Sequence, residues 1–355
     1  RQQQQDESFT ERPRRAAATK KVDYSTFFKE DGHEDDDLKE PASSADEEES
    51  DQIGVEKILA YKKERSGKEM FYVKYWGLSY LHCEWVSREE LIEGDKRMAV
   101  RLKKFLSKPL PAPHSKDSIY NPDFAKIERI VYGWRHEDED NPGKYSTSYL
   151  VKWVGLPYED ATWEKEAFLM SLKDGPEFIK EYQGRPSIDD KRFGALPVGR
   201  RPEPSAWKPF EESPRYKDDH ELRNYQLEGV NWLVFCWMNK QSCIIADEMG
   251  LGKTVQSVAF LELLYKRFNV RGPFLIVCPL STLPHWQREF EAWTDLNVIV
   301  YHGTKASRDV MFEYEFFFKN QQDQPIPGFT KFDVMITTYE MAMAGMEQLQ
   351  PITWR

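Results

Sequence analysis

The chain has 355 residues, of which 40% are hydrophobic, and its formal net charge is −10 at pH 7. This length has room for two or three domains. No apolar run approaches the roughly 18 residues of a membrane span and no signal peptide opens the chain, so we expect a soluble intracellular protein without a membrane partner. The four cysteines lack the spacing of a zinc site or a disulfide framework, which favours a reducing compartment.

The negative charge is concentrated at the start of the chain. Counted from the sequence, residues 1–52 hold 16 acidic and 8 basic side chains, a local charge of −8 that leaves only −2 for the remainder. Large aliphatic residues are scarce there, so apolar burial cannot offset the entropy of ordering. We predict a disordered acidic tail over residues 1–52. Its role as an arm for a basic partner such as a histone and its role as a mere solvating tail are equally open.

Residues 71–85 repeat as residues 149–163 at a constant offset of 78. The repeat predicts two small β-plus-helix domains, over residues 53–110 and 121–186, because two units are too few for a solenoid. Their helices are expected at Arg97–Leu106 and Lys173–Gln183. The matching pairs are Val73/Val151, Lys74/Lys152, Gly77/Gly155, Leu78/Leu156, Tyr80/Tyr158 and Trp85/Trp163.

Residues 187–220 are rich in proline and charge, and they also contain Trp207 and Phe210. A flexible linker does not usually carry such aromatic side chains. We therefore predict a strap that packs on a neighbouring domain. An amphipathic helix follows over Glu221–Met238, with its apolar residues on one face.

The segment Ser242–Gln256 has the order of a phosphate-binding loop. Cys243–Ala246 has the length of a buried strand, Asp247–Gly252 forms a glycine-containing turn, and a helix follows. Turn N–H groups and the positive end of the helix then face one anion. An ordinary strand, turn and helix without a ligand is the alternative, and the flanking elements favour the loop.

In this motif Gly250 and Gly252 supply backbone freedom, Lys253 reaches the β- and γ-phosphates, and the hydroxyl of Thr254 ligates Mg²⁺. The pattern asks for glycine at its first position, where this chain has Asp247. We predict a site for ATP and Mg²⁺. Its predicted residues are Gln226, Asp247, Glu248, Met249, Gly250, Leu251, Gly252, Lys253 and Thr254.

Three further apolar strands, Phe274–Cys278, Asn297–Tyr301 and Phe332–Glu340, alternate with helices. Unbroken apolar strands in this order predict a parallel sheet covered on both faces, in an α/β lobe over residues 221–355. Ligands sit at the carboxyl ends of such strands. Hydroxyl side chains there are candidates for contacts with DNA phosphates and are equally explained as helix caps: Ser281, Thr282, Thr337 and Thr338.

The two repeats resemble chromodomains, through a shared Lys-x-x-Gly-Leu…Trp core. In that family three aromatic walls hold a methyl-lysine. Here the wall positions fall near Ile53 and Ala125, at Tyr75 and Trp153, and at Leu78 and Leu156, so a working cage is not expected in either repeat. The candidates for contact with a histone tail are Tyr75, Phe124 and Trp153. Trp85 and Trp163 are predicted to be core residues.

Together with Leu222–Leu233 and the Ala-Asp-Glu-Met-Gly-Leu-Gly-Lys-Thr phrase, these repeats resemble the chromodomain-helicase-DNA-binding group of Snf2-type remodelling ATPases, in its Kismet-like branch. The resemblance implies a multidomain fold of two β+α chromodomains and a RecA-like parallel-sheet lobe. It also implies ATP-driven translocation on nucleosomal DNA in the nucleus, with histones as partners, in a larger complex. In related motors the glutamine at Gln226 reads adenine, although a polar residue at a helix start explains it too.

The chain shows no Asp-Glu-x-His box after Glu340 and no second lobe with arginine fingers. The resemblance assigns metal binding and water activation to that box. We therefore expect an amino-terminal part of a larger protein that binds ATP without turning it over. A non-catalytic chromatin-binding protein with a regulatory nucleotide site is the alternative.

Overall fold

The structure is a computed structural model that describes residues 54–355, except 96, 112, 115–117, 138–142, 193–194, 198 and 321. All of these described residues belong to one compact unit. The predicted acidic tail and Ile53 lie outside the described residues. No helix in the described ranges is both long enough and apolar enough to cross a membrane.

The first repeat is a three-stranded antiparallel sheet followed by two helices. Its core consists of alternate residues of the middle strand, such as Phe71 and Val73, packed against Leu102 of the last helix. The predicted helix corresponds to the last one, and a shorter capped helix precedes it. The elements are β1 (Val55–Lys63), β2 (Glu69–Tyr75), β3 (Glu84–Ser87), α1 (Arg88–Gly94) and α2 (Met98–Ser107).

The second repeat has the same architecture, as its sequence predicts. Both repeats bury a lysine against a glutamate: Lys74 pairs with Glu56 in the first, and Lys152 pairs with Glu128 at 2.7 Å in the second. The elements are β4 (Ile127–Glu137), β5 (Tyr145–Trp153), β6 (Thr162–Lys165), α3 (Glu166–Ser171) and α4 (Gly175–Gln183).

The segment after the second repeat lies against the following lobe. Its helix α5 (Ile188–Arg192) brings Lys191 into a buried ion pair with Asp333. Further along, the ring of Trp207 lies 5.6 Å from that of Phe268. The aromatic side chains of this predicted strap therefore pack on the lobe.

The lobe alternates helices and short strands. Its amphipathic first helix begins at Asn224, later than predicted, and the side-chain oxygen of Gln226 accepts from Arg223 N at 3.0 Å just before this start. The elements are α6 (Asn224–Met238), α7 (Lys253–Phe268), β7 (Phe274–Val277), α8 (Leu283–Trp293), β8 (Val298–Tyr301), α9 (Lys305–Met311), a π-helical turn (Phe312–Phe316), β9 (Phe317–Lys319), β10 (Pro325–Thr330), β11 (Val334–Thr337), α10 (Tyr339–Ala344) and α11 (Met346–Leu349).

The predicted parallel sheet is confirmed, with the strand order β7-β11-β8. All four residues of β11 are buried, because strands lie on both its sides and apolar side chains cover both its faces. The antiparallel hairpin β9–β10 was not predicted. Its residue Lys319 lines a cleft together with residues of the second repeat.

The prediction of a buried strand over Cys243–Ala246 is wrong. The segment forms no strand, and the side chain of Ile244 is 83% exposed. A strand this short is held by hydrogen bonds to a neighbour, and no described strand pairs with it. The apolar run alone could not show whether a neighbouring strand is available to pair with it.

The second repeat and the lobe share one apolar core. Val131, Leu150 and Tyr158 of the repeat are buried in the same cluster as Ile299 and Phe316 of the lobe. Burial of apolar surface on both partners stabilises this contact. The second repeat is therefore packed directly against the lobe.

Candidate functional site

The predicted phosphate loop has the backbone that such a loop requires. Gly250 and Gly252 adopt left-handed conformations, with φ of 89° and 83°, which side-chain-bearing residues rarely adopt. The 16-residue helix α7 begins immediately afterwards, at Lys253. The first N–H groups of a helix have no partner within it, and no described residue accepts a hydrogen bond from Lys253 N or Thr254 N. The positive end of α7 therefore points into the loop.

The side chain of Lys253 folds back over this loop. Its ammonium donates to the carbonyl oxygens of Asp247, at 2.7 Å, and Glu248, at 3.0 Å. Both acceptors are neutral backbone groups, so the positive charge of Lys253 has no carboxylate partner there. An anion at the loop would gain the interaction with this charge.

Gln226 connects helix α6 to the loop. Its amide oxygen accepts from Arg223 N at 3.0 Å, and its amide nitrogen donates to Leu251 O at 3.2 Å. The helix-start role is thus present in the structure, and it is combined with a direct contact to the loop. Whether the same amide reads adenine stays a prediction.

Asp247, which replaces the first glycine of the motif, is anchored by α7. Its carboxylate accepts from the side chain of Gln256 at 2.9 Å, and Gln256 is fully buried. The side chains of Met249 and Leu251 are exposed, so these two residues would contact a phosphate through their backbone N–H groups. Thr254, half-buried in the first turn of α7, stands where the motif places the Mg²⁺ ligand. These residues fit a nucleotide with its metal.

Three of the four hydroxyl candidates for DNA contact have internal hydrogen-bond partners. Thr337 and Thr338 are buried; the Thr337 hydroxyl donates to Tyr301 O at 2.8 Å, and that of Thr338 caps α10 through Met341 N. The Thr282 hydroxyl donates to Pro279 O. DNA contact through the hydroxyls of Thr337 and Thr338 is therefore corrected to a structural role. Ser281 is exposed at the same end of the sheet and stays a candidate.

The histone-tail candidates are placed differently from one another. Trp153 is fully buried, and its indole N–H donates to the hydroxyl of Thr162 at 2.9 Å. It presents no surface to a peptide, so the prediction for Trp153 is wrong. Tyr75 is half-buried and donates to Glu84 at 3.0 Å; burial and that carboxylate raise the pKa of Tyr75 to about 12. Phe124 is half-buried too.

The tryptophan that recurs in both repeats, Trp85 and Trp163, was predicted to be buried and is more exposed than predicted. Trp163 was predicted to lie in the core, yet 40% of its side chain is exposed. Its counterpart Trp85 is half-buried, with the ammonium of Lys62 lying 4.2 Å from its ring centroid. Alternation along a strand assigns a residue to one face, but it does not say which face is covered. The core prediction is therefore wrong for Trp163.

Comparison with known families agrees with this architecture. The chromo (chromatin organisation modifier) domain matches residues 53–105 and 125–185, and the SNF2-related domain matches residues 225–355. The chain is therefore a chromodomain protein with an SNF2-related lobe.

Among similar proteins, human chromodomain-helicase-DNA-binding protein 8 is 45% identical over 318 residues, which cover 86% of this chain and 12% of that protein. The rat protein 6 is 43% identical (84% of this chain, 11% of the relative), and the human protein 7 is 44% identical (85% and 10%). The chain belongs to the chromodomain-helicase-DNA-binding family and spans about one tenth of the length of these relatives.

A solved structure, the Sulfolobus solfataricus SWI2/SNF2 ATPase core in complex with dsDNA, is also similar. It is 30% identical, covers 41% of this chain and 27% of its own, and has a TM-score of 0.30. A TM-score this low adds nothing to the family assignment, which rests on the sequence relatives and the domain matches.

Proposed function

We propose that the loop 247–254 binds ATP·Mg²⁺ and that this chain is part of an ATP-dependent chromatin remodeller acting on nucleosomal DNA in the nucleus. The observation that carries the proposal is the conformation of Gly250 and Gly252 directly before helix α7, with the ammonium of Lys253 over the loop. Membership of a family of remodelling ATPases supports the larger role.

In this proposal the loop N–H groups and the start of α7 hold the phosphates. Lys253 exchanges its two backbone carbonyls for phosphate oxygens, and the hydroxyl of Thr254 becomes a metal ligand. Bound Mg²⁺ neutralises part of the phosphate charge. Gln226 couples nucleotide binding at the loop to helix α6, because its amide is hydrogen-bonded both to Leu251 O and to Arg223 N at the start of α6.

Thermal unfolding with and without ATP·Mg²⁺ tests the site. Saturation at about 100 times Kd stabilises a protein by about 2.7 kcal/mol through linkage, and we expect a shift of this size. Lys253→Ala should abolish the shift while the fold remains intact. Lys208→Ala, which removes an exposed lysine outside the loop, should leave it unchanged. No shift in the folded wild-type chain would overturn the proposal.

The motor role needs its own test in a full-length protein. We expect nucleosome-stimulated ATP hydrolysis that disappears in Lys253→Ala. Nucleotide binding without any stimulated hydrolysis would instead identify a non-catalytic chromatin-binding protein with a regulatory nucleotide site.

A further inference from the structure

A cleft of about 620 Å³ lies between the second repeat and the lobe. Residues of strands β4, β5 and β6 form one side, and the π-helical turn with Lys319 and Asp323 forms the other. Four aromatic side chains line it: Tyr132, Trp134, Trp163 and Tyr314. None of the residues predicted from the sequence to contact ATP, DNA or a histone tail lies in this cleft.

The rings stand at steep angles around Trp163. Its ring meets those of Tyr132, Trp134 and Tyr314 at 89°, 70° and 81°, with centroids 6.1–6.3 Å apart. The side chains of Trp134 and Trp163 are 54% and 40% exposed, although large aromatic side chains are usually much more buried. Several ring surfaces thus border one accessible space.

The charge of the cleft favours a cation. Its lining contains the carboxylates of Glu137, Glu313 and Asp323 and one ammonium, that of Lys319. The ammonium of Lys331 also lies 4.7 Å from the ring centroid of Tyr132, so the net charge including it is −1 with histidine neutral. Lys319 is paired with Glu313 and Asp323 and lies 6.0 Å from the ring of Tyr314. A phosphate backbone would be repelled by this lining, whereas an ammonium is attracted both by the carboxylates and by the ring faces.

The first repeat shows a lysine ammonium placed over the tryptophan equivalent to Trp163. Lys62 pairs with Met70 across β1 and β2, and Trp134 pairs with Ser148, the repeat equivalent of Met70, across β4 and β5. Trp134 therefore occupies the position of Lys62, just as Trp163 occupies that of Trp85. In the first repeat the Lys62 ammonium covers Trp85 at 4.2 Å. The second repeat has no lysine of its own at this position.

We propose that the cleft binds a lysine ammonium of a basic peptide partner, placed over Trp163 as Lys62 is placed over Trp85. The proposal concerns a surface separate from the nucleotide loop and does not depend on ATP binding. It also relocates the contact with a basic partner away from Trp153, which is buried.

The test is a titration of the whole chain against a short fluorescein-labelled peptide of lysine, glycine and serine, followed by anisotropy. A second peptide carries norleucine in place of lysine, which keeps the aliphatic chain and removes the ammonium. Unlabelled oligothymidine serves as the nucleic-acid competitor. We expect binding of the lysine peptide, no comparable binding of the norleucine peptide, and no competition by oligothymidine.

Variants locate the site. Loss of one cation–π partner should weaken binding by about 3- to 30-fold in Trp163→Ala. Trp134→Lys should have a similar effect, because the new lysine would cover the ring of Trp163 as Lys62 covers Trp85 and would compete with the peptide. Trp76→Ala, which removes a 51% exposed tryptophan elsewhere, should have no effect.

If Trp163→Ala fails to fold, the variants Trp134→Lys and Glu313→Gln still test the proposal, since both should bind the lysine peptide more weakly. Wild-type affinity in both of these variants would overturn the proposal. So would equal binding of the norleucine peptide. Displacement of the peptide by oligothymidine, with both ligands lost in Trp134→Ala, would show a nucleic-acid site instead.

Discussion

Arg129 of the second repeat and Glu315 of the lobe form a buried two-point ion pair. Arg129 Nε lies 2.6 Å from Glu315 Oε1, and Arg129 Nη2 lies 2.9 Å from Glu315 Oε2. The same guanidinium donates to Asn297 Oδ1 and to Val298 O, and the Tyr158 hydroxyl donates to the carboxylate. With its donors and acceptors matched in this way, the pair fixes how the repeat is oriented on the lobe.

Removing one partner of this pair should destabilise the chain strongly. Arg129→Met leaves the Glu315 carboxylate buried without its cation, and such a loss typically costs about 3–5 kcal/mol. Chemical denaturation measures the change in the free energy of unfolding. Lys126→Met is the control, because it removes an exposed ion pair with Asp123 that is worth less than about 1 kcal/mol. Equal effects of the two variants would contradict the prediction.

The pair should also make stability depend on acid pH. Burial works to raise the pKa of Glu315, but the charge and hydrogen bonds of Arg129 outweigh it, so this pKa lies below its ordinary value. The stabilisation is complete above the pKa of the unfolded chain, about 4.3, and is lost as the pH falls through the lower folded value.

Denaturation of wild type and Glu315→Gln at several pH values measures this effect. The difference in the free energy of unfolding should be constant above about pH 5 and shrink in more acidic solution. A difference that stays constant down to the acid limit of folding would show that Glu315 does not titrate with a lowered pKa.

Lys331 should make stability depend on pH with the same sign, but in alkaline solution. Burial lowers the pKa of Lys331 to about 8, with Lys319 and Arg185 adding to the effect. Between this value and the unfolded value near 10.4, the unfolded chain binds more protons, so stability should rise with pH. The rise should be absent in Lys331→Met and present in the control Lys208→Met. An equal rise in Lys331→Met would contradict the assignment.

The coupling between Gln226 and the phosphate loop can be measured directly. A Cβ atom at Gly252 would lie 2.4 Å from Gln226 Nε2, whereas one at Gly250 would meet nothing within 4 Å. Both glycines have positive φ, so either alanine adds backbone strain of about 1–2 kcal/mol. Gly252→Ala should in addition displace Gln226 from Leu251 O.

A double-mutant cycle separates the two effects. Gln226→Ala should relieve part of the loss that Gly252→Ala causes in stability and in ATP affinity, and it should be additive with Gly250→Ala. Additivity in both cycles would show that the amide of Gln226 and the loop are energetically independent.

Features that depend on local pattern could be predicted from the sequence. The repeat at constant offset predicted two domains of the same architecture, and apolar strands alternating with helices predicted the parallel sheet. The glycine spacing before Lys253 predicted the turn and the helix start, because left-handed backbone and helix initiation are properties of a few consecutive residues. Placing ligands on this loop from the motif remains a prediction about chemistry.

Which side chains are covered depends on contacts between distant elements, and the sequence did not predict it. Trp153 and Trp163 are both aromatic strand residues of one repeat, yet the first is buried and the second lines a cleft. The pairing of Arg129 with Glu315 spans 186 positions of sequence, and Cys243–Ala246 lacks the neighbour that would make it a strand. Burial and pairing depend on which distant element packs against a residue, and a local pattern carries no information about that partner.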